Sequence, residues 1–119
     1  MDDAKQQPGQ ADSLDDVFRA LADPTRRALL DELKGGARTT SQLVALFPEM
    51  TRFGVMKHLK VLEDASLVLT RKEGRLRWNH LNAVPLRHMY ERWVSQYEDQ
   101  WAGSLLRLKD KIEQKSQGE

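Results

Sequence analysis

The sequence predicts a mainly α-helical domain with one two-stranded β-hairpin and a long C-terminal helix. Three observations point there. Residues 51–64, TRFGVMKHLKVLED, divide at helical spacing into an apolar arc and a cationic arc. After residue 66 the pattern turns from helical to alternating around the run Lys72, Glu73 and Gly74. From Leu86 to Ile112 an apolar stripe steps by three or four residues throughout. A chain of 119 residues has room for one hydrophobic core and an appended element.

Residues 1–12 are polar, carry Pro8 and Gly9, and read as a disordered tail. Ser13 then caps a short helix with Asp16 at the box position, and Leu14, Val17, Phe18 and Leu21 form its buried stripe. Asp23 is a good N-cap for the second helix, and Pro24 sits where its missing N–H is not needed. That helix runs to about Lys34, burying Ala28, Leu29 and Leu33, and Gly35 and Gly36 supply the positive φ that ends it. Thr39 with Gln42 makes a capping box. It opens a short helix carrying Leu43, Val44, Leu46 and Phe47, which Pro48 stops.

Thr51 caps the next helix. Val55, His58, Leu59 and Leu62 share one arc of it, and Arg52, Phe53, Met56, Lys57 and Lys60 share the other. Surface helices keep large apolar groups off the polar face, and this one does not. Cations mixed with bare apolar side chains suit a DNA major groove, where phosphates take the charge and thymine methyls the apolar contact. A solvated basic helix is the plainer alternative for this stretch alone. The flanks decide: a short helix, a tight turn and a cationic second helix make a helix-turn-helix pattern. Gly54 costs about 1 kcal/mol in a helix interior, which a close approach of the preceding helix would explain.

Leu67, Val68 and Leu69 read as a strand, and Leu76 and Trp78 alternate with Arg75 and Arg77 in a second one. The hairpin, residues 67–82, is a basic wing. Lys and Arg also protect sheet edges, so a plain solvated hairpin is the alternative, but its place directly after a cationic helix favours DNA. Net charge is only +1, from 19 Lys and Arg against 18 Asp and Glu, and says nothing about partners. Between Arg52 and Arg77, however, seven cations face three acids. The absence of cysteine excludes disulfides, thiolate metal sites and Cys nucleophiles. Three scattered His residues offer no nucleophile–base set, so no enzymatic activity is expected. No apolar run reaches membrane length, and a soluble cytoplasmic protein is expected.

Asn82 caps the last helix, with Pro85 in its first turn. Its stripe is Leu86, Tyr90, Trp93, Tyr97, Trp101, Leu105, Leu108 and Ile112. A helix of roughly 30 residues is about 45 Å long and outreaches a core of this size. The same helix of a second copy would bury the stripe. The alternatives are a helix that wraps its own domain and a ligand pocket lined by Tyr90, Trp93 and Tyr97.

The blocks FRALADPTRRALLDELKGG, HLKVLEDASLV and KEGR, at these separations, resemble the ArsR-type winged-helix repressors of bacteria. The likeness covers nearly everything after the tail. It implies a homodimer held by the first and last helices that binds operator DNA. The family's usual Ser-Arg-His-Leu reads Met56, Lys57, His58 and Leu59 here, so the usual hydroxyl donor is replaced by a thioether. Ser66 replaces a usual Gly. The family's thiolate site would lie around Gln42 to Leu46, where there is no Cys. Its other metal site matches Asn82, Val84, Ser95 and Glu98, only one of them a typical ligand. His88 and Glu91 are out of register with it, and His80 would join only if the strand end folded close by. The chain therefore resembles the metal-independent branch, and neither a metal nor another cofactor is expected.

The reading that results is a tail over 1–12, a winged helix-turn-helix over 13–82, a dimerisation helix over 83–115 in the same compact domain, and a disordered end over 116–119. Candidate DNA contacts are Thr40, Ser41, Thr51, Arg52, Phe53, Met56, Lys57, His58, Lys60, Arg71, Lys72, Arg75 and Arg77. For His58 a half-buried ring bonded to backbone is the competing role. Candidate dimer contacts are Leu14, Val17, Phe18, Leu86, Tyr90, Trp93, Tyr97, Trp101 and Leu105. The expected partners are double-stranded DNA and a second copy, with no membrane. An effector-responsive regulator of the same fold, sensing a metal or small molecule, and a winged helix used for protein contact are the competing readings.

Overall fold

The computed structural model describes the backbone of residues 8–117 and the side chains of 14–95, 97 and 103–114. Its elements run α1 (Pro8–Leu21), α2 (Pro24–Leu33), β1 (Arg38–Thr39), α3 (Thr40–Leu46), α4 (Arg52–Asp64), β2 (Val68–Glu73), β3 (Leu76–Leu81), α5 (Val84–Trp93) and α6 (Ser95–Gln117). The strands form one antiparallel sheet in the order β1-β3-β2. The fold is mainly helical, as the sequence predicts, with a third strand too short to show in the alternation. The chain divides into two compact units between Leu86 and Arg87, where the sequence predicts one body over 13–115. An exposed helix makes most of its contacts with itself, and the described side chains of α6 beyond Ser104 are all exposed.

Caps place the starts. The Asp23 carboxylate accepts from the N–H groups of Thr25 and Arg26, with Pro24 at the first helical position. Thr39 and Gln42 form the full reciprocal box at α3. Thr51 accepts from the N–H of Gly54 at 3.0 Å. Asn82 accepts from Val84. The exception is α1, which begins at Pro8 rather than Ser13, because proline's fixed φ suits a first helical position as well as a serine cap does. Residues 8–12 and 116–117 are therefore helical, and the rest of the expected tails lies outside the described residues.

The core of the first unit is built where the apolar arcs meet. Leu14, Val17 and Ala20 of α1, Leu29, Leu30 and Leu33 of α2, Leu43 of α3, and Val55, Leu59 and Leu62 of α4 are all buried. Burying each such leucine contributes about 1.5–3 kcal/mol. Leu14 and Val17 are thus core residues, not dimer contacts: a sequence stripe shows that a face is buried, not against what. In α2 Leu30 takes the buried place expected of Ala28, which is half-buried. Gly36 has φ 143 and ends that segment; Gly35 does not take a positive φ. A Cβ on Gly54 would meet Met50 Cε and Thr51 Oγ1, each at 3.3 Å. The close approach is therefore to the turn and cap, not to α3.

Helix α4 ends at Asp64 with Ala65 as its C-cap, and Ser66 follows with φ 62. Leu67 N–H reaches the Leu62 carbonyl and Ser66 N–H the Glu63 carbonyl, both at 2.9 Å, which is a Schellman closure with serine in the left-handed position. Because a Cβ costs roughly 1–2 kcal/mol there, Ser66→Gly is expected to stabilise the fold by about 1 kcal/mol. Urea unfolding with an unchanged or lower midpoint would count against this.

The hairpin turn is Gly74–Arg75, one step later than the alternation predicts, with Glu73 paired to Leu76 across it. Gly74 at φ 64 occupies the position that a type II′ turn reserves for glycine. In the second unit the expected single helix of about 30 residues is interrupted at Val94. Ser95 Oγ donates to the Glu91 carbonyl at 3.0 Å, and Tyr97 N–H closes a short turn onto Val94. Such hydroxyl back-bonding competes with the helix ladder. The apolar period runs straight through this point, so the break is invisible to it.

Candidate nucleic-acid interface

Helix α4 buries Val55, Leu59 and Leu62 and leaves its opposite face open. Phe53 is 71% exposed and Met56 45%. Lys57 Nζ lies 5.5 Å from the centre of the Phe53 ring, a cation–π pair one helical turn apart. Arg52 Nη2 donates to Ser41 Oγ at 3.1 Å, so the first residue of α4 is steadied by the start of α3. Thr51, Ser41, Arg52 and Lys57 are exposed. A groove beside them is lined by Ser41, Arg52, Met56, Arg75 and Arg77. The structure therefore brings α4, the start of α3 and the wing to one face.

The cations of that face differ in what holds them. Lys72 and Arg75, at the wing tip, are exposed and have no ion pair among the described residues. Arg71 pairs with Glu73 at 3.1 Å. Lys60 pairs with Asp64 at 2.9 Å, and this hydrogen bond holds its ammonium above the usual lysine range. Both pairs are exposed, so water and salt screen them. Arg77, expected at the tip, is half-buried instead, and its Nη2 donates to both Glu63 oxygens, at 3.2 and 3.3 Å. Side chains on a strand alternate between faces, and this one faces α4.

Two other expected contacts are turned inward. Thr40 is only 7% exposed, and its hydroxyl accepts from Nδ2 of the buried Asn79 at 3.1 Å. His58 is half-buried, with Nδ1 3.3 Å from Arg26 Nη1. A guanidinium only donates, so the contact is made when Nδ1 carries no proton. Its partner is a side chain, not the backbone group expected. Arg26 also donates to the carbonyls of Ala20 at 2.8 Å and Arg19 at 3.0 Å, and Arg27 donates to that of Leu21. The Asp23–Arg27 block thus caps the end of α1 and steadies α4. Nothing in the local periodicity signals these roles, nor those of Asn79 and Glu63. Glu63 alone left a trace, as an acid in a cationic stretch.

Asp23 gives this junction a pH dependence. Burial raises its pKa, but the N–H bonds from Arg26 and Thr25, with the nearby His58 and Arg26 charges, outweigh that and hold it below the ordinary 3.8. A depressed folded pKa stabilises the fold above the unfolded value, and that stability is lost as the pH falls through the folded one. Asp23→Ala is expected to cost about 1–2 kcal/mol at neutral pH. Asp23→Asn keeps an acceptor and is expected to flatten the acid limb of the stability curve. An acid limb identical in Asp23→Asn and wild type would contradict the assignment.

Of the expected dimer contacts, Phe18, Trp93, Tyr97 and Leu105 are exposed, and Leu86 and Tyr90 are half-buried. The Trp101 side chain lies outside the described residues. In α5 the Glu91 carboxylate accepts from Arg87 Nε at 3.1 Å, an intrahelical ion pair. Among the described residues no group of three His, Cys, Asp or Glu side chains gathers at metal-binding reach, and no helix is long and apolar enough to cross a membrane.

A helix-turn-helix followed by a hairpin with basic residues at its tip defines the winged helix-turn-helix class of DNA-binding proteins. A known family pattern described as a helix-turn-helix domain matches residues 21–71. The chain is 37% identical over 86 residues to YuzN, an uncharacterized HTH-type transcriptional regulator of Bacillus subtilis, covering 67% of this chain and 94% of that one. It is 33% identical over 73 residues to the transcriptional repressor SdpR of the same organism, covering 61% and 80%. A crystal structure of an ArsR family transcriptional regulator superposes with a TM-score of 0.67 at 38% identity, covering 76% of this chain and 97% of that one. The protein belongs to the ArsR family of transcriptional regulators.

Proposed function

We propose that the protein is a homodimeric, autoregulatory repressor acting in the cytoplasm, which reads an inverted-repeat operator through α4 and the wing. One observation carries this reading: the exposed face of α4 joins two cations, Arg52 and Lys57, to the bare side chains of Phe53 and Met56, beside a wing tip holding Lys72 and Arg75. Helix α4 lies in the major groove, where Arg52 and Lys57 offer donors to guanine edges and Phe53 and Met56 meet thymine methyls. Lys72 and Arg75 meet phosphate or the adjacent minor groove. The likeness to SdpR supports repression as the outcome. The second copy doubles the site across a two-fold axis. That requires half-sites about one helical turn, roughly 10 bp, apart or a multiple of it. Selection of bound duplexes from a random pool tests the reading. Enrichment of an inverted repeat with that spacing is expected. Recovery of duplexes with no common element would overturn it.

A further inference from the structure

We propose that Glu63 is a positioning residue that fixes the wing against the recognition helix and so sets how well the protein discriminates its operator. This rests on the reading of α4 and the wing as the DNA-contacting pair. Glu63 stands in the last turn of α4, where the helix dipole disfavours an acid. It also stands in a segment whose other role is to attract phosphate. Both facts argue against it unless the carboxylate serves something local. Three hydrogen bonds show what that is. Thr70 Oγ1 of β2 donates at 2.8 Å, and Arg77 Nη2 of β3 donates to both oxygens. One carboxylate therefore holds both strands of the hairpin to one turn of α4.

The clamp adds no attraction for DNA, because Glu63 and Arg77 cancel. Its effect is geometric. Arg77 is two residues from Arg75, while Glu63 is on the same helix as Arg52, Met56 and Lys57. The spacing between groove-reading and backbone-contacting side chains thus passes through this pair. The groove between them is lined by Met56, Lys60, Glu63, Thr70 and Arg77, so releasing the clamp lets the wing move across the DNA-facing side.

The test compares binding of wild type, Glu63→Gln, Thr70→Val and the exchange Glu63→Arg with Arg77→Glu on operator and scrambled duplexes across a salt series. Glu63→Gln removes a negative charge and frees Arg77. A purely electrostatic role makes both duplexes bind tighter by the same factor, and that result overturns the proposal. Positioning lowers the operator-to-scrambled ratio by about tenfold, the order of one mismatched base pair. Thr70→Val, which changes no charge, is expected to lower the ratio in part with an unchanged salt slope. The exchange keeps the net charge and the pair, and is expected to restore the ratio. A folded exchange variant, judged by its thermal melt, with no recovery overturns the proposal. If the exchange variant does not fold, an unchanged ratio in Thr70→Val does so. A wild type that shows no discrimination is a distinct result, which removes the DNA reading itself and the clamp with it.

Discussion

Changing Leu105, Leu108 and Ile112 together to glutamate is expected to leave the protein monomeric at micromolar concentration and to weaken operator binding by roughly 10²–10⁴-fold, because two linked half-sites become one. The three side chains are 62%, 54% and 59% exposed, and their spacing of three and four puts them on one face of α6. A helix of 23 residues is about 35 Å long. An apolar row along it is the kind of surface that a second copy buries. Burial of each leucine against the partner contributes about 1.5–3 kcal/mol, whereas a row of glutamates cannot be buried without neutralisation. The three positions are exposed in the single chain, so the melting of the first unit is expected to stay unchanged. Sedimentation of the wild type as a monomer at the same concentration would sink the dimer and, with it, the two-fold operator.

What is legible in the sequence is local. Asp23, the Thr39–Gln42 box, Thr51 and Asn82 announce helix starts because a cap is chemistry between neighbours two or three residues apart. The arc of Val55, Leu59 and Leu62 announces the buried side of α4 because helix geometry alone fixes it. What is hidden lies in pairs distant along the chain. Glu63 meets Arg77 fourteen residues on, Arg26 meets His58 across thirty-two, and Thr40 meets Asn79 across thirty-nine. A helical wheel says which way a side chain faces, not which strand will arrive there. That is why Arg77, His58 and Thr40 read as DNA contacts in the sequence alone. Leu14 and Val17 mislead for the converse reason, since a stripe destined for its own core looks the same as one destined for a partner.

Arg52 and Arg75 are expected to fail in different ways when removed. Arg52 begins α4, steadied by Ser41 at 3.1 Å, and is exposed at the N-terminal end of the helix proposed to enter the groove. If it makes a bidentate contact to guanine, Arg52→Ala costs about 1–3 kcal/mol per half-site and relaxes preference at one base pair of each. Arg75 sits in the hairpin turn, and on the proposed reading it meets the DNA backbone, which carries no sequence information. Arg75→Ala is expected to weaken operator and scrambled duplexes alike and to reduce the salt slope by about one for each phosphate left without its cation. Met56 has no charge, so Met56→Ala leaves the slope unchanged while reducing discrimination at a thymine. Arg77→Ala behaves as neither, because that guanidinium is held by Glu63. A salt titration of these variants on both duplexes separates the roles. If Arg52→Ala, Met56→Ala and Arg75→Ala lose affinity equally on both, α4 is only an electrostatic surface, and Arg52 and Met56 read no bases.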